Sequence, residues 1–153
     1  MSDPAASAAR VVVDVNLLVR GILSGRGGSA VLIRALKQGL FIPIASRPYL
    51  REVYQVLGYP RLLRRYPVTH RQRRRLIAQI YGRAVWVEPV THLALCRDPQ
   101  DDYLLEMALL GRADYLVTED GDFHDDPNLV QFLEQRGVRL VRLSGFLTVL
   151  RGQ

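Results

Sequence analysis

The chain has 153 residues, 48% of them hydrophobic and 24% charged, which is the size and balance of one globular domain with its own hydrophobic core. No apolar run approaches the ~20 residues of a membrane-spanning helix, and a lone cysteine, Cys96, excludes an intramolecular disulfide and points to a reducing, cytoplasmic setting. The net charge is +6, and of 21 basic residues only Lys37 is not arginine, the cation best shaped for bidentate contact with phosphate or carboxylate.

In chain order, MSDPAASAAR lacks the basic start and apolar centre of a signal peptide, so residues 1–9 read as a disordered lead-in and 10–151 as a single domain. RVVVD (10–14) reads as a buried strand that ends on an acid. AVLIRALKQG (30–39) has helical spacing and a glycine stop, and LFIPIA (40–45) reads as a second strand that Pro43 weakens or places near an edge. Ser46 and Pro48 suit the first turn of the next helix. GYPRLLRRYP (58–67) breaks and restarts the chain before a basic helix over 69–84, capped by Thr69. VWVE (85–88) reads as a short strand, residues 99–112 as a helix, and DYLVT (114–118) as a clear strand. A helix over 128–137, an alternating strand over 138–143 and a last helix over 144–150 complete the pattern. Strands alternating with helices predict an α/β fold in three layers, α/β/α, with a mainly parallel sheet of about five strands flanked by helices. Ligands of such sheets sit at the carboxyl ends of the strands, where Asp14 and Asp120 both fall.

The charges are segregated. No acid lies between Glu52 and Glu88, whereas eight arginines do; from Asp98 to Asp126 there are ten acids and one arginine, Arg112. That pairing suits a protein that attracts a polyanion and holds a cation, or else two solvated faces. RDPQDDYL (97–104) is read in two ways: Asp98 and Pro99 as a helix start with Asp101 and Asp102 complementing its dipole, or as part of a metal site. On a helical wheel Leu104, Leu105, Ala108 and Leu109 form the apolar stripe, with Asp101 near its centre and Asp102 at its edge. Acids gathered at one sheet edge repel each other unless a cation compensates them, and oxygen-only ligands favour Mg2+ or Mn2+ over zinc. The histidines (His70, His92, His124) have no ligand spacing, and Cys96 lacks a histidine partner.

VVVDVNLLVRGILS, SRPYLREV, CRDPQDDYLLEMALLGRADYLVTEDGDF and GVRLVRLSGFL, in that order from about Arg10 to Leu150, resemble the PIN-domain ribonucleases, in particular the branch related to VapC toxins of toxin–antitoxin pairs. The resemblance implies four acids around one or two Mg2+ or Mn2+ ions: Asp14, Glu52, Asp102 and Asp120, with Asn16 and Thr118 as orienting neighbours. Asp98, Asp101 and Asp122 are further acids often found nearby in that branch. Glu52 is nominated by the resemblance alone; the wheel places it away from its helix's main stripe, beside Tyr49 and Val56. Val15, Glu119 and Glu106 depart from the family's usual hydroxyl, glycine-or-basic and small residues, and Glu106 is either a further ligand or a solvated acid. The implied activity is metal-assisted endoribonuclease hydrolysis of an RNA phosphodiester. Arg71, Arg73, Arg74 and Arg75 are candidates for RNA contact, and Tyr66 and Tyr81 for base stacking. The same likeness raises an antitoxin partner and a homodimer. Two rivals stand beside it: a non-catalytic nucleic-acid-binding or regulatory module that keeps the fold, and an aspartyl phosphotransferase, which wants a second acid where this chain has Asn16.

Overall fold

Three valines open the sheet. Strand β1 (Arg10–Val13) buries Val11, Val12 and Val13 almost completely, because both faces of a parallel strand are covered and nothing selects for alternation. A computed structural model describes residues 8–89 and 102–152. After β1 come helices α1 (Val15–Ser24) and α2 (Gly27–Lys37), strand β2 (Ile42–Ala45), and helices α3 (Arg47–Leu57), α4 (Pro60–Arg65) and α5 (His70–Arg83). Strand β3 (Val85–Trp86), helix α6 (Asp102–Leu110), strand β4 (Tyr115–Val117), helices α7 (Gly121–His124) and α8 (Pro127–Glu134), strand β5 (Arg139–Val141) and helix α9 (Leu143–Arg151) follow.

The five strands pair in the order β3-β2-β1-β4-β5, and every pair is parallel, so the predicted α/β/α architecture holds with no antiparallel strand among the described residues. Helices pack on it, with α6 against β1 and β2, α5 against β2 and α9 against β4. From β1 the chain first moves to one side, to β2 and β3, and then to the other, to β4 and β5. The direction of winding therefore reverses between β1 and β4, and the crevice at their carboxyl ends is the place where such sheets hold ligands.

Two expectations need correction. Pro43 is not at an edge, since β2 lies between β1 and β3. Ile42 donates to the Ala9 carbonyl on the β1 side at 2.8 Å, so by alternation the position of Pro43 faces β3, which begins only opposite Ile44. The missing N–H therefore costs no ladder bond. Nor is α6 amphipathic in the way the wheel suggests: Leu104, Leu105, Glu106, Met107 and Ala108 are all buried. The helix lies deep in the molecule, and Glu106 is not a solvated acid.

Local signals account for most helix starts. Ser46 Oγ accepts from the Tyr49 amide to cap α3, with Pro48 in its first turn. Thr69 and Gln72 form a reciprocal capping box at the start of α5. Helices α1 and α2 meet at Gly21, where an added Cβ would collide with the Ser29 carbonyl oxygen.

Candidate active site

The β1–β4 ladder runs Val11 with Tyr115, Val12 with Leu116 and Val13 with Val117. One more step in that register sets Asp14 opposite Thr118, just past the ends of both strands. The Asp14 amide donates to the Val117 carbonyl at 2.9 Å, which fixes the backbone, and Thr118 Oγ1 donates to Asp14 Oδ2 at 2.7 Å. Asp14 Oδ1 accepts from the Asn16 amide at 3.0 Å, so the acid also caps α1. Both carboxylate oxygens are thus held, and each keeps a lone pair for another partner. Asn16 orients Asp14 through its main chain; its own side chain is exposed.

Thr118 is fully buried and joins the next acid to the first. Its Oγ1 accepts from the Asp120 amide at 3.1 Å, and its own amide donates to Val141 of β5 at 3.1 Å. Asp120 caps α7, a single turn, by accepting from the Asp122 amide at 2.9 Å. Asp122 itself is exposed and serves this turn through its backbone. His124 at the end of α7 holds the Thr118 carbonyl through Nε2 at 2.7 Å, a bracing role that its isolated place in the sequence does not announce.

Glu52 reaches the site from α3. The Tyr103 hydroxyl of α6 donates to Glu52 Oε2. Burial, that hydrogen bond and then the Glu52 charge, with smaller contributions from Tyr49 and Asp14, push the Tyr103 hydroxyl far above its usual range. Tyr49, 3% exposed, is pushed the same way by burial and then by the charges of Asp14 and Glu52. Both tyrosines therefore feel both carboxylates and stay protonated, as donors, at any physiological pH. They are the groups that sequence reasoning missed. The one signal for Tyr49 was its position three residues before Glu52, on the same helix face; nothing marked Tyr103.

The remaining candidates divide. Asp98 and Asp101 lie outside the described residues, as does Cys96, and Asp102 opens α6 with its side chain outside the description. Glu119 is turned away: its carboxylate accepts from the Leu143 amide at 2.8 Å and pairs with Arg142 at 3.4 Å, stabilising the start of α9. Glu106 is buried, and its Oε2 has no hydrogen-bond partner among the described residues. On α5, Arg73 folds inward over the Tyr54 ring, 4.6 Å from its centroid, while Arg71, Arg74 and Arg75 are exposed.

A family model for the PIN domain matches residues 10–122, from the first residue of β1 to just past Asp120. The chain belongs to the PIN-domain family. PIN domains are typically nucleases, and they generally use divalent metal ions. Comparison with curated proteins and with solved structures gives no match. Among the described residues no three acids or histidines of this PIN domain stand close enough to ligate one ion. The donor set nonetheless suits a hard cation: Asp14, Glu52 and Asp120 offer only oxygen, and the one ion pair among the described residues, Arg142 with Glu119, leaves all three without a cationic partner.

Proposed function

We propose that this PIN domain is a Mg2+- or Mn2+-dependent endoribonuclease and the toxin of a toxin–antitoxin pair. The observation that carries the catalytic reading is the Asp14–Thr118–Asp120 arrangement, in which one buried hydroxyl holds the carboxylate of Asp14 and the main chain of Asp120 at the switch point of the sheet. Asp14, Glu52, Asp102 and Asp120 would hold the metal, which when bound supplies a water acidified to react near neutral pH and charge stabilisation for the leaving oxygen. The protein's part is to keep the ligands in place. Asn16 and Thr118 fix Asp14, Tyr103 fixes Glu52, and the Asp122 amide fixes Asp120. Each contact leaves part of its carboxylate free for the ion. Exposed Arg71, Arg74 and Arg75 add positive potential for the RNA, and Asp98 and Asp101 are further acids for the same site. The toxin role rests on the likeness of the motifs to the VapC branch, with an antitoxin as partner.

The reaction is tested by running single-stranded RNA with purified protein in 18O-labelled water, with Mn2+, Mg2+ or EDTA. The expected products carry one 18O at the new phosphate and no 2′,3′-cyclic phosphate, and EDTA stops their formation. Cyclic ends formed in EDTA would mean that the 2′-hydroxyl is the nucleophile and that the acids do other work.

A further inference from the structure

Two cavities meet at Leu23 and Tyr66, and one of them reaches Asn16, two residues from Asp14. One, of about 330 Å3, opens at Asn16, whose amide holds Asp14, and runs past Arg20 to Leu23, Leu62 and Tyr66. The other, of about 440 Å3, shares Leu23 and Tyr66 as walls and continues between α2 and α5 to Lys37, Arg65 and Arg75. Together they form a groove that begins at Asn16, the residue whose amide holds Asp14, and leads away from it. We propose that this groove carries a single strand of RNA leaving the scissile phosphate, with a base on Tyr66 and phosphates on Arg20, Arg65, Arg75 and Lys37. This rests on the reading of the site as a ribonuclease.

Three observations favour a nucleic-acid strand. The charge is of one sign: four cations line the groove, no acid does, and none of the four makes an ion pair among the described residues. The cations come from four separate helices, α1, α2, α4 and α5, one in the first cavity and three in the second, so no single helix face accounts for them. At the junction of the cavities Tyr66 is half-buried, with the Arg65 guanidinium 5.4 Å from its ring centroid. An aromatic face with a cation beside it is how proteins hold single strands, by stacking the base and meeting the phosphate. A duplex keeps its bases stacked inside and offers no face to Tyr66. The assignment differs from the one α5 suggests by itself: of the arginine run only Arg75 faces the groove, and Arg73 lies on Tyr54.

Binding of a fluorescent 12-nucleotide single-stranded RNA is measured by anisotropy in EDTA, across 50–200 mM salt, so that no cleavage intervenes. Arg65→Gln with Arg75→Gln is compared with Arg34→Gln with Arg139→Gln, which removes the same charge outside the groove. The groove pair is expected to bind about ten-fold or more weakly and to flatten the salt slope by ~0.7 for each phosphate it no longer neutralises; the control pair keeps the parent's slope. Tyr66→Leu is expected to weaken binding about five-fold or more with the slope unchanged. Equal slopes for the two pairs, or full affinity in Tyr66→Leu, would overturn the proposal. So would groove variants that bind RNA like the parent yet lose an acidic peptide, which would make the groove a protein-docking site. Cleavage by the parent in Mn2+ is scored separately. Groove-dependent binding without cleavage upholds the groove and removes the ribonuclease; cleavage with groove-independent binding does the reverse.

Discussion

Thr118 is the residue on which the acids most depend. Thr118→Val keeps the shape and removes the hydroxyl, so Asp14 loses a donor and the part-buried Asp120 amide loses an acceptor. The expected cost is about 1–3 kcal/mol in urea unfolding and about 10–100-fold in Mn2+ affinity by titration calorimetry, with Thr118→Ser restoring the affinity. Tyr49 gives a pH signature. Its folded form binds its proton more tightly than the unfolded chain does, so its contribution is complete below the ordinary tyrosine value of about 10 and is lost as pH rises above it. In EDTA, Tyr49→Phe should therefore reduce the fall of stability above that value by about 1.4 kcal/mol per pH unit; an unchanged slope would mean that Tyr49 ionises freely. At this scale the sequence showed Asp14 and Asp120, because each lies just past the carboxyl end of a strand, although each also caps the helix that follows it. Glu52 came only by likeness, because its value lies in a contact 51 residues away with Tyr103. No local pattern encodes such a pairing.

At the scale of elements, strands and caps were legible where chemistry is local. The run of valines, the Thr69 cap and the Ser46–Pro48 start each act within a few residues, and each forms as read. Periodicity failed at α6, which is buried almost all round and so carries no stripe to find. Pro43 misled for a related reason: what matters is how far the neighbouring strand extends, and β3 has only two residues. The contact between α1 and α2 was equally silent, since Gly21 looks like any helix glycine until Ser29 is placed against it. Gly21→Ala should destabilise the fold by about 1–3 kcal/mol, because a backbone carbonyl has little room to retreat. Gly82→Ala on α5 meets nothing within 4 Å and should stabilise by up to ~1 kcal/mol. Chemical denaturation of both separates packing from propensity, and a neutral Gly21→Ala would show that α1 and α2 can part at no cost.

On the scale of the whole molecule, the acidic and basic segments of the sequence become, under the proposed function, a site and its approach. β1 and β4 bring Asp14 and Asp120 to one crevice, α3 carries Glu52, and the acid-free stretch that follows Glu52 supplies Arg65 and Arg75 to the groove. Charge segregation along the chain showed that such a division exists, but not which arginines face it; that depended on Arg73 folding back on Tyr54 while Arg75 faces the groove. The central claim is that these carboxylates form one metal-dependent hydrolytic site. The measurement that tests it most directly is Mn2+-dependent cleavage of single-stranded RNA by Asp14→Asn beside the parent, with thermal unfolding of both. Asparagine Oδ1 can still accept from the Asn16 amide, and its Nδ2 can donate to Thr118 Oγ1 in place of the bond that Asp14 accepts from it, so the variant should unfold near the parent's temperature and lose cleavage by at least ~100-fold. A folded Asp14→Asn that cuts RNA at the parent's rate in Mn2+ would contradict the account.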